Sequence, residues 1–229
     1  MKRNVSKEKL SIAAALLMFV AGIASCKKND VDTNGSMSLN VVNAAPNSGP
    51  QSFGLANQRL VNGGLDFTDA SGYITTHPGT DLQAQFINPT TNSIYATGSL
   101  WTFNSQSYTV YLAGQGSTAR VVYFQDDLSA PPTGMAKVKF IHLADGAPAN
   151  IKVKDSTGNN LFSSLVVEDI PTGYTDLNPG SLSLGVYDAI TGNSFGNYTV
   201  TGLQAGGIYT LYLTGATSST LSVQTVPYN

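Results

Sequence analysis

Tyr108-Thr109-Val110-Tyr111-Leu112-Ala113-Gly114 (YTVYLAG) and Tyr209-Thr210-Leu211-Tyr212-Leu213-Thr214-Gly215 (YTLYLTG) are nearly the same phrase, 101 residues apart. In the first, Tyr108, Val110 and Leu112 fall on one face, and Ala113-Gly114 ends the run in a turn. A period-two run bounded by turn residues is a half-buried β-strand. The same spacing links Gly72-Tyr73 and Pro78-Gly79 to Gly173-Tyr174 and Pro179-Gly180, and Asn92-Ser93-Ile94 to Asn193-Ser194-Phe195. Nearer the start the offset is 99, with Leu39-Asn40-Val41-Val42-Asn43 opposite Val138-Lys139-Phe140-Ile141-His142. Such self-similarity predicts a duplicated unit, with a loop accounting for the change in offset.

Two units follow, residues 37–127 and 135–229, joined by a Pro-rich linker at residues 128–134 (LSAPPTG). Leu82, Ala84 and Phe86, and Leu182, Leu184 and Val186, alternate in the same way, and no stretch after residue 36 has helical periodicity. The expected fold class is all-β: two tandem antiparallel β-sandwich domains of immunoglobulin-like type.

The first 25 residues differ in kind. Lys2, Arg3, Lys7 and Lys9 precede an apolar core (LSIAAALLMFVA, residues 10–21) and then Gly22-Ile23-Ala24-Ser25 before Cys26. This is the layout of an export signal, and its core falls short of the about 20 residues that a spanning helix needs. Cys26 is the only cysteine, so an intrachain disulfide is excluded. Residues 27–36 (KKNDVDTNGS) carry one aliphatic residue and read as a flexible tether. Removing residues 1–25 takes away four of the 12 basic and one of the 14 acidic residues, leaving a net charge of about −5. A mildly acidic surface without a basic run makes nucleic acid a poor partner.

Catalytic patterns are sparse. There is no Gly-x-Ser-x-Gly elbow, His-Glu-x-x-His helix or phosphate-binding Gly-rich loop. Glu168 is the one Glu after Cys26, and His77 and His142 are the two histidines. His142 falls on the same side as Val138 and Phe140, with Lys137 and Lys139 opposite, so it reads as an inward histidine held by hydrogen bonds; Asn43 matches it in the first unit. His77 reads as a turn residue, and Asp126-Asp127 and Glu168-Asp169 as solvated turn carboxylates. Trp101, with Phe103, is expected in or beside the first core. Trp101, Tyr111 and Tyr212 form the candidate binding surface, the two tyrosines on the outward face of their strands, where aromatic rings could stack a sugar or dock a protein. No metal ligand set, cofactor or catalytic group is expected.

Ile23-Ala24-Ser25-Cys26 resembles the bacterial lipobox, which implies lipid transfer to Cys26 and cleavage before it. The second unit, from Lys137-Val138-Lys139-Phe140-Ile141-His142 through Asp145-Gly146-Ala147-Pro148 to Ile151-Lys152-Val153, resembles the DUF4397 family of bacterial secreted and surface proteins. Gly173-Tyr174, the Asn178-Pro179-Gly180 turn and Ala205-Gly206-Gly207-Ile208-Tyr209-Thr210-Leu211 extend the resemblance, which is weaker in the first unit. It implies β-sandwich repeats and no reaction. The start of the mature chain is similar to lipoproteins of the Bacteroidota, and Asp155-Ser156-Thr157 resembles that group's O-glycosylation sequon. These features imply a lipid-anchored envelope protein, expected at the outer membrane on either its periplasmic or its outer face; Cys26-Lys27-Lys28-Asn29-Asp30 lacks the acidic stretch that sends such lipoproteins to the surface and leans towards the periplasm. The expected role is a non-enzymatic binding or spacing element for a glycan or an envelope protein. Alternatives are an assembly subunit acting through strand edges, and a hydrolase built on Asp residues with His142.

Overall fold

The computed structural model describes residues 29–169 and 173–228. Cys26 and the lipobox residues Ile23, Ala24 and Ser25 lie outside the described residues.

Seventeen strands occur among the described residues. The first half contains β1 (Asp30–Val31), β2 (Met37–Asn43), β3 (Gln51–Leu55), β4 (Gln58–Leu65), β5 (Ile74–Thr76), β6 (Gly79–Ile87), β7 (Ile94–Thr102), β8 (Ser107–Ala113) and β9 (Arg120–Asp126). The second contains β10 (Ala136–His142), β11 (Asn150–Asp155), β12 (Asn160–Val166), β13 (Thr175–Leu177), β14 (Gly180–Asp188), β15 (Ser194–Leu203), β16 (Ile208–Thr214) and β17 (Ser222–Pro227). In the first half β5-β2-β8-β9 form one sheet, and β1-β6-β3-β4, with β7 on the other edge of β6, form the second. In the second half β13-β10-β16-β17 and β12-β11-β14-β15 repeat that order. The chain is thus all-β, with paired sheets, as its alternating runs predict. One pair in each half is parallel, β2 with β8 and β10 with β16; the other pairs between named strands are antiparallel.

Each half has its own core between its two sheets. Leu39, Val41, Phe53, Phe86, Val110 and Leu112 cluster in the first, and Val138, Phe140, Val153, Val186, Leu211 and Leu213 in the second. These are the alternate positions that period two assigns to the inside. A third apolar cluster lies between the halves, joining Val42, Ala44, Tyr111 and Phe124 to Ile141, Leu143, Tyr212 and Val226. Strands β10 and β16 are buried at every position, and β2 and β8 at all but one. Strands covered on both faces read as near-continuous apolar runs, which VYLA, FIHLA and LYL are.

This third cluster corrects the expected outward patch. Tyr111 and Tyr212 are both 0% exposed and meet edge to face, with ring centroids 5.8 Å apart. Their face points away from each half's own core, but the other half covers it.

The tether also needs correction. Asp30 and Val31 pair with Thr80 and Gly79 of β6. Asn29 Oδ1 accepts the Gln83 amide at 2.6 Å, and the Asp32 amide donates to the Pro78 carbonyl at 2.9 Å. Residues 29–36 are therefore built onto the first half rather than flexible, because main-chain bonding to a strand edge needs no apolar pattern in the added segment.

Candidate functional site: a cleft between the halves

Lys139 lies on β10 and Asp126 at the end of β9, so the packing of the halves brings them together. Lys139 Nζ is 3.0 Å from Asp126 Oδ1, with side chains 2% and 0% exposed. The other carboxylate oxygen of Asp126 accepts the Tyr73 hydroxyl at 2.9 Å and the Thr109 hydroxyl at 2.6 Å. Burial pushes the Lys139 pKa down, against the attraction of Asp126, which holds the ammonium form. Asp126 is thus a buried partner rather than the solvated turn carboxylate expected, and Lys139 likewise leaves the solvent face. A charge in this interior persists only if paired and hydrogen-bonded.

Next to this pair, Lys137 Nζ donates to Asp127 Oδ2 at 2.5 Å and to the Ser129 hydroxyl and carbonyl. It also sits 4.8 Å above the Tyr174 ring, a cation–π contact. The bond from Lys137 holds the exposed Asp127 carboxyl down at about 2. Burial, reinforced by the charge of Asp126, pushes the Tyr73 and Tyr174 phenols well above their ordinary value. Tyr228 OH completes the network, donating to Thr210 at 2.9 Å and meeting Tyr111 OH at 3.2 Å.

Above these groups the halves leave a cleft of about 760 Å³. Its wall from the first half carries Trp101, Phe103, Tyr123 and Asp127; the wall from the second carries Lys137, Gly173, Tyr174 and Asp176. Among the described residues its lining is made of aromatic rings and hydrogen-bonding groups. The volume falls within the about 300–1,000 Å³ of small-ligand sites, which concentrate at domain interfaces. Trp101 and Phe103 form its lip at 58% and 65% exposure. Trp101 was expected to pack in or beside the first core; instead β7 turns the neighbouring Thr102 inward, at 3% exposure, and Trp101 and Phe103 outward. The Trp101 indole N–H donates to Asp81 Oδ1 at 3.2 Å and its amide to Tyr123 OH at 3.1 Å, which fixes the ring's setting. Of the three residues read as a binding surface, only Trp101 reaches this cleft. Sequence reasoning did not single out Lys137, Asp127 and Tyr174 as a group, since they meet only through the packing of the halves.

A second polar junction lies at the other end of the interface. Arg120 pairs with Asp145 at 2.8 Å and also with Glu168, and Thr118 donates to Asp145 at 2.7 Å. His142 lies near it, 2% exposed. The Ala144 amide donates to Nδ1 at 3.3 Å, so Nε2 carries the proton and donates to the Pro148 carbonyl at 2.8 Å. Burial lowers its pKa, in keeping with this neutral tautomer. Asn43 performs the equivalent task in the first half, donating to Ser48, Gly49 and Leu65 and accepting the Ala45 amide. His77 Nδ1 meets the Gly35 carbonyl at 2.9 Å, in the turn where it was expected. Asp155 accepts from both the amide and hydroxyl of Thr157 in an exposed turn. Among the described residues no group of three or more His, Cys, Asp or Glu could hold a metal ion, and no helix is long and apolar enough to cross a membrane.

The DUF4397 family model, described as a domain of unknown function, matches residues 37–153, just over half of the chain. The match runs from β2 into β11, whereas the sequence resemblance was strongest in the second unit. No curated protein matches. Among solved structures, the C-terminal domain of AlgF from P. aeruginosa is similar at 20% identity, covering 42% of this chain and 99% of that one with a TM-score of 0.26. A candidate cell adhesion protein from Bacteroides uniformis is similar at 10% identity, covering 86% and 100%, with a TM-score of 0.26. The Bacillus anthracis TIE protein is similar at 9% identity over 79% of this chain and 34% of its own, with a TM-score of 0.23.

Proposed function

The chain belongs to the DUF4397 family, and from that footing we propose that it is a non-enzymatic cell-envelope lipoprotein whose two halves together make one binding element. The observation that carries this reading is the cleft, because neither half builds it alone and its lip exposes Trp101 and Phe103. Exposed apolar groups that adjoin one another and are rimmed by polar residues mark an interaction surface. The lipobox at Ile23, Ala24, Ser25 and Cys26 supports anchoring by lipid, and the lack of an acidic stretch in Cys26-Lys27-Lys28-Asn29-Asp30 favours the periplasmic side of the outer membrane over its surface. The ligand is a glycan or a segment of another envelope protein. His142 supports the non-enzymatic part of the reading, since main-chain groups occupy both of its ring nitrogens.

Trp101 is the only tryptophan, so its emission reports directly on the cleft. The full chain, in a detergent without a sugar headgroup, is titrated with neutral oligosaccharides, acidic oligosaccharides and basic peptides. A saturable change in emission with any one class is expected. No response to any class would overturn the binding role.

Strand β15 favours a second reading, assembly through strand edges. It is ten residues long, ends its sheet, and carries neither charge nor Pro, the usual guards of an exposed edge. Introducing Lys at Thr199 should abolish any self-association seen by analytical ultracentrifugation; association that persists would discard this edge.

A further inference from the structure

We infer that Trp101 and Phe103 rest in the headgroup region of the membrane that holds the lipidated chain, so that the cleft opens at the membrane surface. This rests on the proposed lipidation of Cys26.

The leash is short. Only three residue steps separate Cys26 from Asn29, where docking onto the first half begins, a reach of at most about 11 Å fully extended. The docking is built in. Gly79 lets the Asp30 main chain come so close that a Cβ there would lie 2.1 Å from the Asp30 carbonyl oxygen. At the matching Gly180 a Cβ would meet nothing within 4 Å.

The docked segment also lies beside the lip. Val31 pairs with Gly79, and Gly79 pairs on its other side with Thr102, so β1 and Thr102 stand two strand spacings apart, about 10 Å. Asp30, Asp32, Phe103 and Asn104 line one shallow hollow, and the Ser36 amide donates to Asn104 Oδ1 at 2.8 Å. A bilayer holding Cys26 is thus within reach of the two exposed rings nearest the point of entry. Trp is favoured at that depth because its ring is apolar while its N–H stays bonded, here to Asp81. Lys27 and Lys28 offset the nearby Asp30 and Asp32, which suits a zwitterionic surface.

The test uses the full lipidated chain in phosphatidylcholine vesicles whose acyl chains carry bromine near the headgroup. Trp101 emission should shift to the blue and fall roughly twofold against unbrominated vesicles, as for a ring buried at the headgroup boundary. Gly79→Ala should keep the protein on the vesicles but lose the quenching, because the displaced β1 lengthens the leash. A chain that floats with the vesicles and shows no bromine quenching overturns the inference while leaving lipidation intact. A blue shift without quenching points to a second copy or a soluble ligand over the lip, and overturns it equally. Failure to float would overturn the lipidation reading itself, and this inference with it.

Discussion

Replacing Lys139 by Met would remove one member of an ion pair whose partners are 2% and 0% exposed. Breaking a buried pair from one side costs about 3–5 kcal/mol, since the remaining charge stays buried without compensation. Asp126 keeps two donors, Tyr73 OH and Thr109 OH, so the low end, about 3 kcal/mol, is expected. For a chain of this size that corresponds to a fall in Tm of about 6–12 °C. The pair joins the halves, so scanning calorimetry should show the variant's transition broadening or splitting as they uncouple. Adding Asp126→Asn to Lys139→Met should recover part of the loss. The amide oxygen still accepts from Tyr73 and Thr109, but no charge is left unpaired. An unchanged Tm in the single variant, or a double variant weaker than the single one, would refute the reasoning.

Tyr73, Tyr111, Tyr212 and Tyr228 all have pKa values raised by burial between the halves. Their phenols keep their protons in the folded state and lose them on unfolding, so this stability is complete below pH 10 and declines as pH rises beyond it; urea midpoints should fall from pH 10 upward, and a flat profile would count against the buried assignments. Among the described residues Tyr212 OH has no hydrogen-bond partner, whereas Tyr111 OH meets Tyr228. Tyr212→Phe should therefore leave urea stability unchanged or raise it by about 1 kcal/mol, while Tyr111→Phe should lower it by a similar amount. His142→Ala should cost about 1–3 kcal/mol by leaving the Pro148 carbonyl and Ala144 amide without their partners, and His142→Asn less, after the example of Asn43. Because burial lowers the His142 pKa, the unfolded chain binds the extra proton first. The wild type should then lose stability as pH falls below 6.5, a slope that His142→Asn removes from the urea profile.

Much of each sandwich was legible residue by residue. Tyr108, Val110 and Leu112 enter the first core, and Val138 and Phe140 the second, because side chains alternate strictly along a strand and an apolar series must go inward. The pairing of His142 with Asn43 was legible too, since both fall at the end of a core strand and both side chains can satisfy main-chain groups in the turn that follows. The clue to the third cluster was also in the sequence, in runs such as VYLA and FIHLA that are apolar on both faces. Alternation sorts side chains between two faces without saying what covers the second one.

The sequence by itself determined the strands, their inner faces and the likeness of the two halves, because each depends on local period and turn chemistry. Only the tertiary structure decided that Tyr111 and Tyr212 meet in the dark, that Lys139 finds Asp126, and that Trp101 is left at the lip of a shared cleft. Those outcomes depend on how one sandwich turns against the other. That orientation comes from the summed fit of two faces, with no segment of either chain half encoding it alone.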